Sequence, residues 1–289
     1  MTLEPDPADP SAVVELAGAC AAVDGVAPFS GHVLDALADS RVETVHRDGR
    51  LVGAAVLPAA DPGELAVHPD HRRQGIGGAL LDLVLGSSPG VWAHGALPAA
   101  AGLAASRELT VVRELVQMRR SLTDDPGSAE LPAGITLRTF EAGTDDTAFL
   151  GVNARAFAWH PEQGRLDQAG LDAEKAQPWF DPAGFFLAVD GRHGDRVVGF
   201  HWTKVHDADP TPRGGPAGPV GEVYVIGVDP AAGVRGLGAP LSLTGLRHLR
   251  SLGLSTVMLY VEGDNAPALR LYERLGFERF LTDLVYAAR

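Results

Sequence analysis

The run Leu65-Ala66-Val67-His68-Pro69-Asp70-His71-Arg72-Arg73-Gln74-Gly75-Ile76-Gly77-Gly78 has a second copy far along the chain. That copy is Ile226-Gly227-Val228-Asp229-Pro230-Ala231-Ala232-Gly233-Val234-Arg235-Gly236-Leu237-Gly238-Ala239. Each leaves an apolar, strand-like stretch and enters an apolar, helix-like one. A strand, a glycine-bearing basic turn and a helix together make a seat for phosphate. The first turn of the helix leaves backbone N–H groups unpaired and carries a partial positive charge, and glycines let an anion come close to the backbone. Finding the unit twice implies two related domains, each built around a phosphate-bearing cofactor.

The pattern between the loops supports that division. Residues 11–23 and 30–39 have helical spacing, and residues 42–46 and 51–57 read as strands about the turn Arg47-Asp48-Gly49-Arg50. A helix follows the first loop, then a short strand at 91–94, a helix near 99–107 and a strand over 109–122. Thr123 to Pro132 lacks periodicity and carries both Gly and Pro, which marks a linker. The second half repeats the order: strand 135–139, helices 146–157 and 167–174, strands 185–189 and 197–205, then a Pro- and Gly-rich loop over 207–219. Strand 223–228, helix 237–251, strand 256–261, helix 265–274 and strand 277–286 complete it. The expected organisation is a first domain over residues 1–122, a linker over 123–133 and a second domain over 134–289. Each is an α/β (α+β) unit with a mixed, mostly antiparallel sheet flanked by helices.

Composition narrows the function classes. With 37 acidic against 24 basic residues the net charge is −13, which repels nucleic acid at long range. No run reaches the roughly 20 apolar residues of a membrane span, and the first residues lack a secretion-signal pattern. Cys20 is the only cysteine, so no intramolecular disulfide can form. A cytoplasmic monomer acting on a small molecule, away from nucleic acid and membrane, is the expectation. The histidines show no metal-ligand spacing, and no metal is expected.

Three phosphate seats compete for the loop. A Walker loop needs Gly-Lys-Ser/Thr after its glycines, and neither copy has that lysine. A dinucleotide fold needs a longer glycine pattern entered from a parallel unit. The run Arg72-x-x-Gly75-x-Gly77 instead resembles the pyrophosphate loop of the GNAT acetyl-CoA-dependent N-acetyltransferases. Asn265-x-x-Ala268-x-x-Leu271-Tyr272-Glu273-Arg274-Leu275-Gly276-Phe277 resembles the helix that closes the same superfamily's site, in the right order and at the right distance.

Further segments, among them Ala22 to Pro28, Trp92 to Gly95, His160 to Gly164, Gly199 to His206 and Gly221 to Val225, make nearly the whole chain resemble the mycothiol synthase family of tandem GNAT proteins. The resemblance implies acetyl transfer from acetyl-CoA, a cosubstrate, to the cysteine α-amine of a cysteinyl-glucosaminyl-inositol. It makes Glu222 the general base and Tyr272 the general acid. It implies cofactor contacts from Leu65, Ala66, Val67 and Arg73 through Gly78 (Arg73, Gln74, Gly75, Ile76, Gly77, Gly78). In the second half the corresponding contacts are Ile226, Gly227, Val228, Gly233, Val234, Arg235, Gly236, Leu237, Gly238 and Ala239. Asn265, Ala266, Pro267, Ala268, Leu269 and Arg270 flank the same arm. Glu162, Lys204, Glu222 and Tyr260 correspond to substrate-binding positions, while Gly31 stands where that family places an acidic residue.

The halves are unequal. Aligning Leu275-Gly276-Phe277 on Leu109-Thr110-Val111 sets Ser106 against Tyr272 and Ala99 against Asn265. The first half therefore lacks the phenol and is expected to hold cofactor without catalysing, while the second half carries the chemistry. Two other readings stay open at this level. One is an acetyltransferase for a different primary amine, such as an aminoglycoside or a protein N-terminus. The other is a non-catalytic acetyl-CoA sensor.

Overall fold

The computed structural model describes residues 9–59, 61–159, 163–208 and 218–289. The first half begins with α1 (Pro10–Asp24), opened by the Asp9 carboxylate accepting from the Ser11 N–H and closed by left-handed Gly25. Ser30 caps the short α2 (Gly31–Asp35). The single helix expected over residues 30–39 is thus two pieces, because the chain tightens into a 3-10 turn at Leu37–Asp39 before entering the sheet. Strands β1 (Arg41–Arg47), β2 (Arg50–Leu57) and β3 (Glu64–Val67) form an antiparallel three-stranded sheet. Helix α3 (Ile76–Ser87) buries Ile76, Leu80, Leu81 and Val84 against it. Then come β4 (Val91–Ala93), α4 (Pro98–Ala105) and β5 (Thr110–Ser121).

The second half runs β6 (Ile135–Thr139), α5 (Asp146–Ala156), α6 (Gln168–Lys175), β7 (Phe185–Asp190), β8 (Arg196–His206) and β9 (Val220–Val228). It ends with α7 (Gly238–Ser251), β10 (Thr256–Glu262), α8 (Ala266–Arg274) and β11 (Glu278–Ala287). The eight-stranded sheet has the order β4-β11-β5-β10-β9-β8-β7-β6. Strands of both halves therefore share it. β5, which precedes the linker, pairs antiparallel with β10 of the second half. β11, the last strand, lies between β4 and β5 and carries Tyr286 into the first half's core.

The two faces of this sheet are filled differently. Leu243, Leu246 and Leu249 of α7 and Leu269 and Tyr272 of α8 pack with Val223, Val257, Leu259, Val116 and Met118 on one face. On the other, Phe149 and Val152 of α5 and Leu171 of α6 pack with an aromatic group of Phe140, Phe185, Phe200 and Trp202. Phe185 and Trp202 stack 4.6 Å apart, and Phe149 meets Phe185 edge-on at 5.0 Å. Among the described residues no helix is long and apolar enough to cross a membrane.

Candidate functional site

Both repeated loops end at a helix whose first turn has no side-chain cap. The cap residue of α3 is Gly75 (φ 85°) and that of α7 is Leu237, preceded by left-handed Gly236 (φ 77°). By contrast, α1 and α8 are capped by Asp9 and Asn265. The leading N–H groups of α3 and α7 are thus left for an anion, and a Cβ at Gly75, Gly233 or Gly236 would point into open space. These features suit a pyrophosphate. The side chains of Ile76, Leu237 and Leu269, included among the cofactor contacts above, are core, with 1%, 1% and 6% exposure, so only their backbone can face a ligand. Asn265 Oδ1 accepts from the Ala268 N–H, so this amide shapes the start of α8. Gln74 and Arg235 are exposed at the two loops.

In the second half the gap that would receive a thioester is set by strand pairing. β9 and β10 are parallel and joined only over Gly221–Val223 against Val257–Leu259. Beyond that the strands part, so the β10-facing backbone groups of Tyr224 to Val228 have no strand partner. A bulge sharpens the parting: Thr203 pairs with Val223 and Trp202 with Val225, leaving Tyr224 as the extra residue. Tyr224 and Val225 consequently both face the α5 side, while Val223 and Ile226 face α7 and α8.

Strand alternation gathers three of the expected substrate residues on one face. Lys204 on β8 is the direct partner of Glu222 on β9, and Met258, two residues before Tyr260, is the partner of Glu222 on β10. Glu222 is 7% exposed, and its Oε2 lies 2.6 Å from Nε2 of His206. His206 is not among the site residues expected from sequence, although its two-residue spacing from Lys204 puts it on the same face. The Lys204 ammonium sits 4.3 Å from the Trp179 ring centre and 5.0 Å from that of Tyr224. The Tyr224 hydroxyl donates to Glu174 Oε1 at 3.1 Å, and burial, then Glu174, raises its pKa, which keeps it protonated. Gln117 Nε2 donates to the Tyr260 hydroxyl at 2.7 Å. Glu162 lies outside the described residues.

Tyr272 comes from the opposite face. It is 6% exposed, packs with Val223 and Leu259, and meets Phe277 edge-on at 5.7 Å. Burial pushes its phenol up to about 12. Glu222 and Tyr272 therefore approach from the two sides of the sheet, and the opening between β9 and β10 is the route by which one ligand could reach both.

The first half carries a cavity of about 560 Å³ against its own loop. Leu65, Ala66, Val67, Arg73, Gly75, Gly77 and Gly78 line it, as does Ser106, the counterpart of Tyr272. Ser106 Oγ donates to the Leu103 carbonyl oxygen at 2.6 Å. Arg72 is occupied by the fold: its guanidinium grips Asp24 at 2.8 and 2.6 Å and its Nε donates to the Val67 carbonyl oxygen. Arg73, in a left-handed conformation (φ 62°), lines the cavity beside Arg72.

A second cavity, of about 640 Å³, lies between the halves. Ser30, Gly31, Glu64, His94, Arg113, Tyr260 and Asp283 are among its lining residues. His94 forms part of its wall, with Nε2 3.2 Å from Glu64 Oε1 and Nδ1 3.2 Å from Asp283 Oδ2. Burial opposes charge on this ring, but Asp283 and Glu64 together outweigh it and hold the pKa at about 10. Sequence reading missed this cluster, since its members come from β3, the turn after β4 and β11. Among the described residues no group of three or more His, Cys, Asp or Glu is placed to hold a metal ion.

Comparison with known proteins agrees with the loops and the fold. The model of the Acetyltransferase (GNAT) family matches residues 153–277, and that of the Acetyltransferase (GNAT) domain matches residues 38–105. The chain is similar to a mycothiol acetyltransferase of Thermobispora bispora, 50% identical over 97% of this chain and 96% of that one. It is equally similar to the mycothiol acetyltransferase of Thermomonospora curvata, at 50% identity over 96% and 92%. Among solved structures, a GCN5-related N-acetyltransferase from Sphaerobacter thermophilus superposes with a TM-score of 0.72 at 24% identity, covering 98% of this chain and 93% of that one. A tandem GNAT protein from the clavulanic acid biosynthesis pathway superposes with a TM-score of 0.67 at 19% identity, covering 99% and 98%. These two establish the tandem GNAT fold, and the two halves with their uncapped loop helices are its repeated units. The chain belongs to the mycothiol acetyltransferase family, acetyl-CoA-dependent N-acetyltransferases of the GNAT superfamily.

Proposed function

We propose that the second half transfers the acetyl group of acetyl-CoA to the cysteine α-amine of a cysteinyl-glucosaminyl-inositol, the final acetylation in making mycothiol. The observation that carries this reading is the shared face of Lys204, Glu222 and Tyr260 at the β9–β10 opening, with Tyr272 entering from behind. A polyhydroxylated acceptor needs several charged or polar groups on one surface, and these supply them.

In this reading the acetyl-CoA pyrophosphate rests on the uncapped start of α7, with Gly233 to Ala239 around it. The pantetheine arm runs along Ile226 to Val228, with Ala266 to Arg270 on its flank. A strand-end N–H in the bulged stretch of β9 polarises the acetyl carbonyl. The acceptor amine begins as an ammonium with a pKa of about 7.7 and loses a first proton to Glu222, which His206 holds in place. The nitrogen lone pair then attacks the carbonyl carbon. As the C–S bond breaks, Tyr272 gives its proton to the departing thiolate; the adduct nitrogen sheds its second proton, which restores the phenol through solvent, and Glu222 passes its own to water, yielding amide, free CoA and one proton. The phenol is protonated at any working pH because burial keeps its pKa near 12.

The first half holds a second acetyl-CoA without turning it over, because Ser106 stands in place of the phenol and its hydroxyl is committed to Leu103. The test is an assay of the purified chain with acetyl-CoA and the cysteinyl-glucosaminyl-inositol, beside aminoglycosides and N-terminal peptides. Acetylation of the first with release of free CoA thiol supports the reading. Selective acetylation of another amine, or cofactor binding without consumption, overturns it.

A further inference from the structure

The two cavities have a common wall. Trp92 and His94 line both the first half's cofactor slot and the space between the halves. β3 and β4 are hydrogen-bonded only around Gly63, where Gly63 N–H donates to Gly90 and Trp92 N–H donates to Gly63. Past that point they diverge, so the slot and the inter-half cavity approach each other through the gap between them.

The wall is tied to the acceptor side. The His94 ring stacks on Trp92 (5.9 Å between centres, 10° between planes), and the Arg113 guanidinium lies 5.2 Å from the Trp92 ring centre. Arg113 is in turn held by Glu262 on β10, two residues beyond Tyr260. Asp283 on β11 holds both His94 and the Gly95 N–H. A displacement of Trp92 and His94 toward the slot would therefore alter the surface that Tyr260 presents. With nothing behind it, such a wall loses the contacts that fix close-packed side chains.

We propose that acetyl-CoA bound in the first half backs this wall, its thioester end resting against Trp92 and His94, and thereby tightens binding of the polyhydroxylated amine in the second half. The first site is then an affinity-setting site for the acceptor rather than a second reaction centre. This inference rests on the acceptor reading above. Coupling between two ligand sites is commonly about 5- to 150-fold and must be reciprocal, so acceptor binding tightens the first slot by the same factor.

The experiment compares the full-length chain with Gly77→Leu. Gly77 lines the slot, and a Cβ there meets Leu103 at 3.5 Å and Val67 at 3.7 Å, ordinary contacts, so a side chain can be started at this position to occupy slot volume. Equilibrium dialysis with labelled acetyl-CoA should find two equivalents on the wild type and one on Gly77→Leu. The KM for cysteinyl-glucosaminyl-inositol at saturating acetyl-CoA should rise about fivefold or more, with kcat within twofold. A variant that has lost one equivalent but keeps the wild-type acceptor KM overturns the inference alone, as does a wild type that binds a single equivalent. Failure of the wild type to acetylate this amine overturns the proposed function and the inference with it. Should Gly77→Leu fold poorly, Arg73→Asn keeps a residue that tolerates a left-handed backbone and removes the loop charge. Its acceptor KM should fall as acetyl-CoA is raised through the weakened first site, and a KM independent of acetyl-CoA overturns the inference.

Discussion

His206 Nε2 stands 2.6 Å from Glu222 Oε2, which tethers the carboxylate from the strand beside its own. Glu222→Gln keeps the shape and removes the proton acceptor. Turnover should fall by about 100-fold or more, the usual worth of a positioned base, with acetyl-CoA affinity unchanged. A kcat within a few-fold of wild type would remove Glu222 from the proton path.

Tyr272→Phe keeps the packing against Phe277 and Val223 and deletes only the hydroxyl. Because a thiolate already leaves well, kcat should drop by roughly tenfold, below the common range for a general acid. With the phenol near 12, the wild-type kcat should show no loss from Tyr272 deprotonation up to about pH 10. An alkaline limb near pH 8 that vanishes in Tyr272→Phe would contradict this placement.

Two buried histidines should shape stability in opposite directions. His94 holds its proton more tightly folded, at about 10, than at its ordinary 6.5. Its contribution is complete below about pH 6.5 and is lost as pH climbs through 10. His201 is fully buried, has its Nδ1 2.8 Å from the Leu241 carbonyl oxygen, and is pushed down to about 4 by burial. Its contribution is present above pH 6.5 and is lost as pH falls toward 4. Melting temperature should therefore peak near pH 6.5. His94→Gln should lower it and flatten the alkaline side; an unchanged alkaline slope would show that the ring carries no extra proton.

Gly245→Ala should cost about 2 kcal/mol, typical of overpacking a filled core. A Cβ there would collide with the His201 ring, with α7 pressed against the sheet on one side and Phe200 and Trp202 flanking in sequence. Thermal unfolding measures this directly, and a shift within error would mean that α7 can lift from β8.

Much of this was legible in the chain itself, for identifiable reasons. The loops announced themselves because glycine and backbone N–H geometry is encoded locally, and the strand and helix periods around them are local too. Tyr272 and Glu222 came from the resemblance; the β9 bulge, which puts Tyr224 and Val225 on the same side, is advertised by no residue in Val223-Tyr224-Val225. His206 was readable from its spacing to Lys204. The His94 cluster was not, since Glu64, His94 and Asp283 meet only where β4 lies between β3 and β11, strands far apart in the sequence. The loop arginines also needed coordinates: Arg72 and Arg73 both line the cavity, yet Arg72 is gripped by Asp24.

The placement of β5 beside β10, with β11 wedged between β5 and β4, bears on how such a duplicated chain can be taken apart. Cutting at residues 123–133 would release a fragment that keeps β5 but lacks β11, leaving β4 and β5 with bare edges, and a second fragment in which β11 has no neighbour and β10 keeps only β9. The repeat visible in the sequence is thus not a severable folding unit. Each copy is finished by a strand of the other, and coexpressed fragments should recover a native assembly where either one alone aggregates.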